Sequence, residues 1–313
     1  MPLLQLGTAQ LITKSGVDQN LPESFVGMVP EQTYRQIEMA LQNGLRSFDS
    51  ALIYRSQPAI GAVLGEWWRT GKLAHRRDVW ITTKVFHPNA TAMTFGITHM
   101  PDMHSFSPLE ASVQTLEHFE KSLMQLGVGF VDMVLLHWPS GHLEGSVTEN
   151  RQLRIAAWRV LEQVYNKGWA RAIGVSNFSP DHLEQLKEDG ATVVPMVNQV
   201  EASVTLQYPE IVKYCQDNGI VPQAYSPFGR GLAQLPKELH PLAAKYKKDL
   251  GQIAIKYLLQ LGYAVVYLSN SPERMVTNHQ LFDFELTADE MALLNGLNRP
   301  DGGWGLPSPH TLY

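Results

Sequence analysis

Only one of the 313 residues is a cysteine, Cys215, so no internal disulfide can form and a reducing, cytoplasmic setting is expected. Within PEIVKYCQDNG that lone thiol reads as a small core residue rather than a nucleophile. Long hydrophobic runs are also missing, and the start MPLLQLGTAQ has neither a cationic segment nor an extended apolar one, so neither a targeting segment nor a membrane partner is expected. Positive charge is not in excess: 25 Lys and Arg stand against 30 Asp and Glu, a net charge of −5, which gives no broad basic face for nucleic acid. No G-x-G-x-x-G follows a candidate strand, which removes the main signature of an open dinucleotide-binding sheet. Linker-like and low-complexity stretches are absent too, and 1–313 reads as one domain. Oligomeric state is not legible.

What is present is a rhythm. Short apolar runs at 3–6, 46–50, 79–84, 132–137, 170–176, 196–200, 221–226 and 264–269 read as strands. Amphipathic stretches at 31–43, 57–70, 109–126, 151–167, 179–189, 208–218 and 250–260 read as helices between them, with two more at 272–280 and within TADEMALLNGL. Asn43-Gly44, Lys167-Gly168, Asp189-Gly190 and Asn218-Gly219 mark helix ends, and Ser179-Pro180 marks a start. Eight such units in a chain of this length predict a closed (β/α)8 TIM barrel with long βα loops.

Strand after strand ends in a polar residue: Asp49, Lys84, His137, Ser176-Asn177, Asn198-Gln199, Tyr225-Ser226 and Ser269. Taken singly, each reads as a cap, a turn or a solvated group. Taken together they fall on the rim where parallel barrels place their chemistry. A buried Lys84 needs a carboxylate, which Asp49 can supply, and Tyr54 five residues beyond Asp49 is a weak acid that a neighbouring Lys84 would strengthen. With His137 orienting a carbonyl, this set suits protonation of an oxygen during carbonyl reduction. No side chain donates hydride, so a nicotinamide cofactor is implied.

The chain resembles the aldo-keto reductase family along nearly its whole length. The resemblance is carried by MPLLQLGT, FDSALIY, ITTKV, LLHWP, GVSNF, VNQVE, AYSPFGRG and SPERMVTNHQLFDFEL, in that order. It implies a TIM barrel that reduces aldehydes or ketones with NADPH or NADH, a catalytic set of Asp49, Tyr54, Lys84 and His137, and Tyr54 as proton donor. By the same resemblance Thr8 is a cofactor-binding residue, and Ser176, Asn177, Gln199 and Tyr225 belong to the nicotinamide half of the cofactor site. Ser226, Ser269, Arg274 and Asn278 belong to the pyrophosphate and adenosine half. Arg55, Trp138 and Trp304 are the candidate pocket residues. Two other readings stay open: a cofactor-binding regulatory subunit of slight turnover, and an aldolase or isomerase using Lys84 as a Schiff base.

Three features depart from the family pattern. Val266-Tyr267-Leu268-Ser269 puts leucine where a lysine usually meets the 2′-phosphate, leaving Arg274 as the cation. Thr277 replaces a glutamate, and Arg55-Ser56 replaces Gly-Asn after the tyrosine. The third is length: segments 13–30 and 87–108 are expanded, and the second of these, with Phe95, Met100 and Phe106, is expected with the tail around Trp304 to wall the substrate pocket. His87, His99 and His104 in that loop match no metal-binding spacing, and no metal is expected.

Overall fold

The computed structural model describes residues 1–9, 30–88, 107–140, 147–229, 231–299, 303 and 308–311. Eight strands close in sequence order: β1 (Leu4–Gly7), β2 (Ser47–Asp49), β3 (Trp80–Val85), β4 (Met133–Leu136), β5 (Ile173–Ser176), β6 (Val197–Glu201), β7 (Val221–Tyr225) and β8 (Ala264–Tyr267). Every neighbouring pair is parallel, including β8 with β1, so all strand ends share one rim. Around them run α1 (Pro30–Gln42), α2 (Gln57–Arg69), α3 (Pro108–Leu126), α4 (Val147–Asn166), α5 (Pro180–Glu188) and α6 (Pro209–Asp217). The ring is completed by α7 (Leu239–Tyr246), α8 (Leu250–Gln260), α9 (Pro272–Thr277) and α10 (Ala288–Asn295).

Local chemistry explains these boundaries. Ser107 and Glu110 cap α3 reciprocally behind Pro108, Asp249 with Gln252 does the same for α8, and Ser179 caps α5. The four glycines read as helix stops, Gly44, Gly168, Gly190 and Gly219, all have positive φ. Two helical features differ from the sequence expectation. α7 is additional: Pro236 and Pro241 interrupt its apolar pattern, but Pro241 lies in the first turn, where its missing N–H costs nothing. α4 begins at Val147, ahead of the expected 151.

Alternation along β4 shows the two sides of the wall. Val134 and Leu136 join the main core against the helices, whereas Met133 and Leu135 pack with Val197 and Trp80 in a separate cluster inside the barrel. Gly174 is required there, because a Cβ would sit 2.6 Å from the Val197 carbonyl and 2.8 Å from Leu135. Polar side chains are buried in the wall as well, Gln5, Asp49, Thr82, Gln199 and Gln223 among them. Among the described residues no helix is long and apolar enough to cross a membrane.

Candidate active site

Asp49 closes β2, and a short 3-10 turn over Leu52–Tyr54 brings Tyr54 back above the strand end. Ala51, Ile53 and Phe86 form a small apolar bed for the Tyr54 ring. The register pairs Asp49 with Thr82, so Lys84 stands two residues higher on the adjacent strand with its stem inside the barrel. His137 follows β4, and its backbone N–H donates to Val85 O at 2.8 Å. Neighbouring strands thus carry three of the groups, and one tight turn carries the fourth.

The contacts are specific. Lys84 Nζ lies 2.5 Å from Asp49 Oδ1, 3.1 Å from Ser50 O and 3.4 Å from Tyr54 Oη, which engages all three ammonium protons. Tyr54 Oη also lies 3.4 Å from His137 Nε2. The imidazole is stacked between Phe86 and Trp138, with ring centroids 5.7 and 6.4 Å away.

Burial and charge set the protonation states. Burial is the largest influence on Tyr54 and pushes its phenol up; Lys84 pulls it back only in part, so the net direction is upward. This corrects the expectation that Lys84 would leave Tyr54 a stronger acid than free tyrosine. Burial opposes the charge on Lys84, yet Asp49 and Tyr54 together hold its pKa above the ordinary lysine value. His137 is pushed well below the ordinary histidine range by burial and then by Lys84. At neutral pH the site is therefore an ammonium, a protonated phenol and a neutral imidazole. A Schiff base at Lys84 would need a neutral, accessible amine, and the structure offers neither.

The other candidates occupy the remaining half of the rim, on β5 through β8 and α9. Asn177, in the left-handed region at φ 63°, donates to His137 O at 3.0 Å and to Ser176 Oγ at 3.1 Å, and accepts from Tyr225 Oη at 2.9 Å. That chain fixes the Tyr225 ring against the histidine strand. Ser176 Oγ donates to Gln199 O at 2.8 Å, and Gln199 Nε2 reaches Asp49 Oδ2 at 2.9 Å, so the two halves meet at Asp49. Ser226 also adopts positive φ, Ser269 and Asn278 are buried, and Arg274 is exposed beside the Ser271 cap of α9. Thr8 is fully buried, its hydroxyl engaged with Asp49 O at 2.9 Å and Ser56 Oγ at 2.8 Å, so it fastens the end of β1 to the Asp49 backbone.

Of the pocket candidates, Trp138 is buried beside His137, and Arg55 is exposed in the left-handed conformation just after Tyr54. Trp304, Phe95, Met100, Phe106, His99 and His104 lie outside the described residues. Gly303 packs against Leu206 and Glu201, which brings that point of the tail to the rim at the end of β6. His87 is buried, with Nε2 3.3 Å from Asn150 O, and burial lowers its pKa to about 3. Cys215 is buried and its thiol pushed up to about 11, as a core residue's would be.

Reading the sequence did not single out Ser50, Phe86 or Gln223. Only the last had a signal: in VPQAYS a polar side chain shares strand parity with Tyr225.

Comparison with known proteins places this geometry. The chain is 34% identical over 262 residues to an uncharacterized oxidoreductase of Bacillus subtilis, YtbE, an alignment covering 84% of this chain and 82% of that one. It is 33% identical over 265 residues to the glyoxal reductase of the same organism, covering 85% and 83%. A silkworm (Bombyx mori) aldo-keto reductase solved in complex with NADP superposes with a TM-score of 0.75 at 26% identity, covering 95% of this chain and 89% of that one. A second silkworm aldo-keto reductase superposes with a TM-score of 0.77 at 29% identity, covering 99% and 87%. The Aldo/keto reductase family model matches residues 3–299, and with the closed parallel barrel and its polar rim the chain belongs to that family.

Proposed function

We propose that this protein is an NAD(P)H-dependent carbonyl reductase that converts aldehydes or ketones to alcohols, with Tyr54 as proton donor. The observation that carries the reading is the Tyr54 hydroxyl held 3.4 Å from both Lys84 Nζ and His137 Nε2. A protonated phenol flanked by a cation and a neutral imidazole can bind a carbonyl oxygen and release its proton as negative charge develops there. Lys84 then stabilises the phenolate, and Asp49 keeps Lys84 charged and in place. His137, neutral, supplies a hydrogen bond that orients the carbonyl. The activities named for the relatives, glyoxal reduction among them, agree with this class of substrate.

The β5 to β8 half of the rim fits a nicotinamide dinucleotide, which supplies hydride when bound. Gln199 Oε1 accepts from no described residue and so remains for the carboxamide. Tyr225, tied to Asn177, offers an aromatic face to the ring. Ser226, Ser269, Arg274 and Asn278 supply hydroxyls, a guanidinium and an amide toward the phosphates and adenosine. Mixing the protein with aliphatic, aromatic and dicarbonyl substrates and either NADPH or NADH should consume nicotinamide absorbance. No consumption with any carbonyl and either cofactor would refute the assignment.

The protonation states give a pH expectation. Tyr54 and Lys84 are raised, so both keep their protons up to at least about pH 10, and His137 is lowered, so it stays neutral down to at least about pH 6.5. The reductive rate should therefore be flat between those limits, falling only where Tyr54 loses its proton or His137 gains one. A rate that titrates with a midpoint near 8 would show that one of these assignments is wrong.

Leu268, exposed on the rim after β8, bears on cofactor choice. Where a second cation would add a charge-assisted contact to a 2′-phosphate, this chain has an apolar side chain. Leu268→Lys is expected to raise the preference for NADPH over NADH by about tenfold, one such contact at an exposed site. An unchanged ratio of the two dissociation constants would mean that another cation, such as Lys237, already meets the phosphate.

A further inference from the structure

Both amide protons of Gln199 are used inside the barrel, one on Asp49 Oδ2 at 2.9 Å and the other on Gln223 Oε1 at 2.7 Å. An aspartate paired with lysine only accepts hydrogen bonds, so the edge of the amide that faces Asp49 must be its NH2. The orientation of Gln199 follows, and its Oε1 is left for a ligand. Gln223 stands directly opposite Gln199 in the β6–β7 register and is fully buried. Among the described residues its own Nε2 reaches only Met1 Sδ, at 3.9 Å, so its one strong side-chain bond there is the one it accepts from Gln199.

We propose that Gln223 is a positioning residue for the cofactor: it locks the Gln199 amide with its N–H edge on Asp49 and its carbonyl turned to the nicotinamide carboxamide. The proposal rests on the nicotinamide reading above. A carboxamide NH2 needs an acceptor, and a Gln199 side chain that swung or flipped would meet it with donors instead. Asp49 alone takes one proton and leaves the amide free to pivot about that bond, whereas the second contact removes the pivot. Because Asp49 Oδ1 holds Lys84 while Oδ2 holds Gln199, the same carboxylate joins carboxamide recognition to the cation beside Tyr54.

The test compares two probes on the full chain: NADPH, and 2′-phospho-ADP-ribose, which keeps both ribose-phosphate ends but lacks the nicotinamide. Dissociation constants come from quenching of tryptophan fluorescence. Gln223→Met keeps length and volume but removes the acceptor; it is expected to weaken NADPH by about threefold to tenfold, the worth of one neutral hydrogen bond, and to leave the fragment unchanged. Gln223→Glu keeps an acceptor at the same reach and should return the NADPH-to-fragment ratio to that of the native chain. The pH range of turnover should be the same in Gln223→Met as in the native chain, because Lys84, Tyr54 and His137 are untouched and no titratable group is added. Native-like NADPH binding by Gln223→Met, equal weakening of both probes, or a ratio for Gln223→Glu as poor as that for Gln223→Met would each overturn the proposal. A native chain that bound neither probe would instead overturn the functional reading on which the proposal rests.

Discussion

Tyr54→Phe is expected to lower carbonyl reduction by about a hundredfold to ten-thousandfold, the usual worth of a positioned general acid, while dinucleotide affinity stays nearly unchanged. The substitution removes one hydroxyl and keeps the ring on its bed of Ala51, Ile53 and Phe86. Lys84→Met should produce a comparable loss in rate, since a developing phenolate would lose the ammonium 3.4 Å away. The two variants should differ in stability. Phenylalanine leaves the Lys84–Asp49 pair intact, whereas methionine strands a buried Asp49, a change that costs about 3–5 kcal/mol where such pairs are broken. Rates for Lys84→Met must therefore be taken per folded molecule, counted by dinucleotide binding. Tyr54→Phe with native turnover would exclude Tyr54 as the acid; equal loss of dinucleotide affinity and turnover would show that the hydroxyl serves binding. A native chain that binds dinucleotide tightly but turns over no carbonyl would favour the regulatory-subunit reading.

Much of this arrangement is legible in the sequence, for physical reasons that differ from residue to residue. The eight strands announce themselves because a parallel strand buried on both faces must be short and apolar, and four of the helices that follow carry their own glycine stop signal. Asp49, Lys84 and His137 stand out because an ionisable residue at the end of such a run is costly unless paired or used. What the residue pattern does not show is the balance between opposed effects. The proximity of Lys84 to Tyr54 could be inferred, but the net rise of the phenol depends on the depth of burial, which only the closed barrel defines. Asn177 was legible as a rim residue and Thr8 through the family resemblance, whereas their hydrogen bonds to the His137 and Asp49 backbones depend on side-chain directions across strands. Gln223 was hidden because a lone polar residue in a strand looks solvent-facing until its side of the barrel wall is known. α7 escaped notice because its two prolines mask a helix whose first turn tolerates one of them.

Charges at the opposite end of the barrel were equally hard to read, and one of them should matter greatly for stability. Asp132 precedes β4 and is buried; one oxygen accepts from the Ile81 backbone N–H at 2.9 Å and from Arg76 at 2.9 Å, the other from Arg171 at 2.8 Å. Arg76 in turn donates to Val79 O and Phe130 O and lies over the Phe130 ring at 4.4 Å, so this carboxylate gathers the entrances of β3, β4 and β5. Asp132→Ala would leave a buried backbone N–H without its acceptor and a largely buried guanidinium without its counter-charge. The expected cost is about 3–5 kcal/mol, which for a chain of this size corresponds to a fall in Tm of about 5–10 °C. Arg171→Ala should cost only about 1 kcal/mol, because its side chain is half exposed and Arg76 would still neutralise Asp132. Neither substitution touches the catalytic rim, so turnover per folded molecule at 25 °C should match the native value, separating the end of the barrel that holds the fold from the end that carries the chemistry. An Asp132→Ala protein that melts within a degree of the native chain would show that solvent or a shifted arginine replaces the lost contacts, and that this cluster does not anchor the strand entrances.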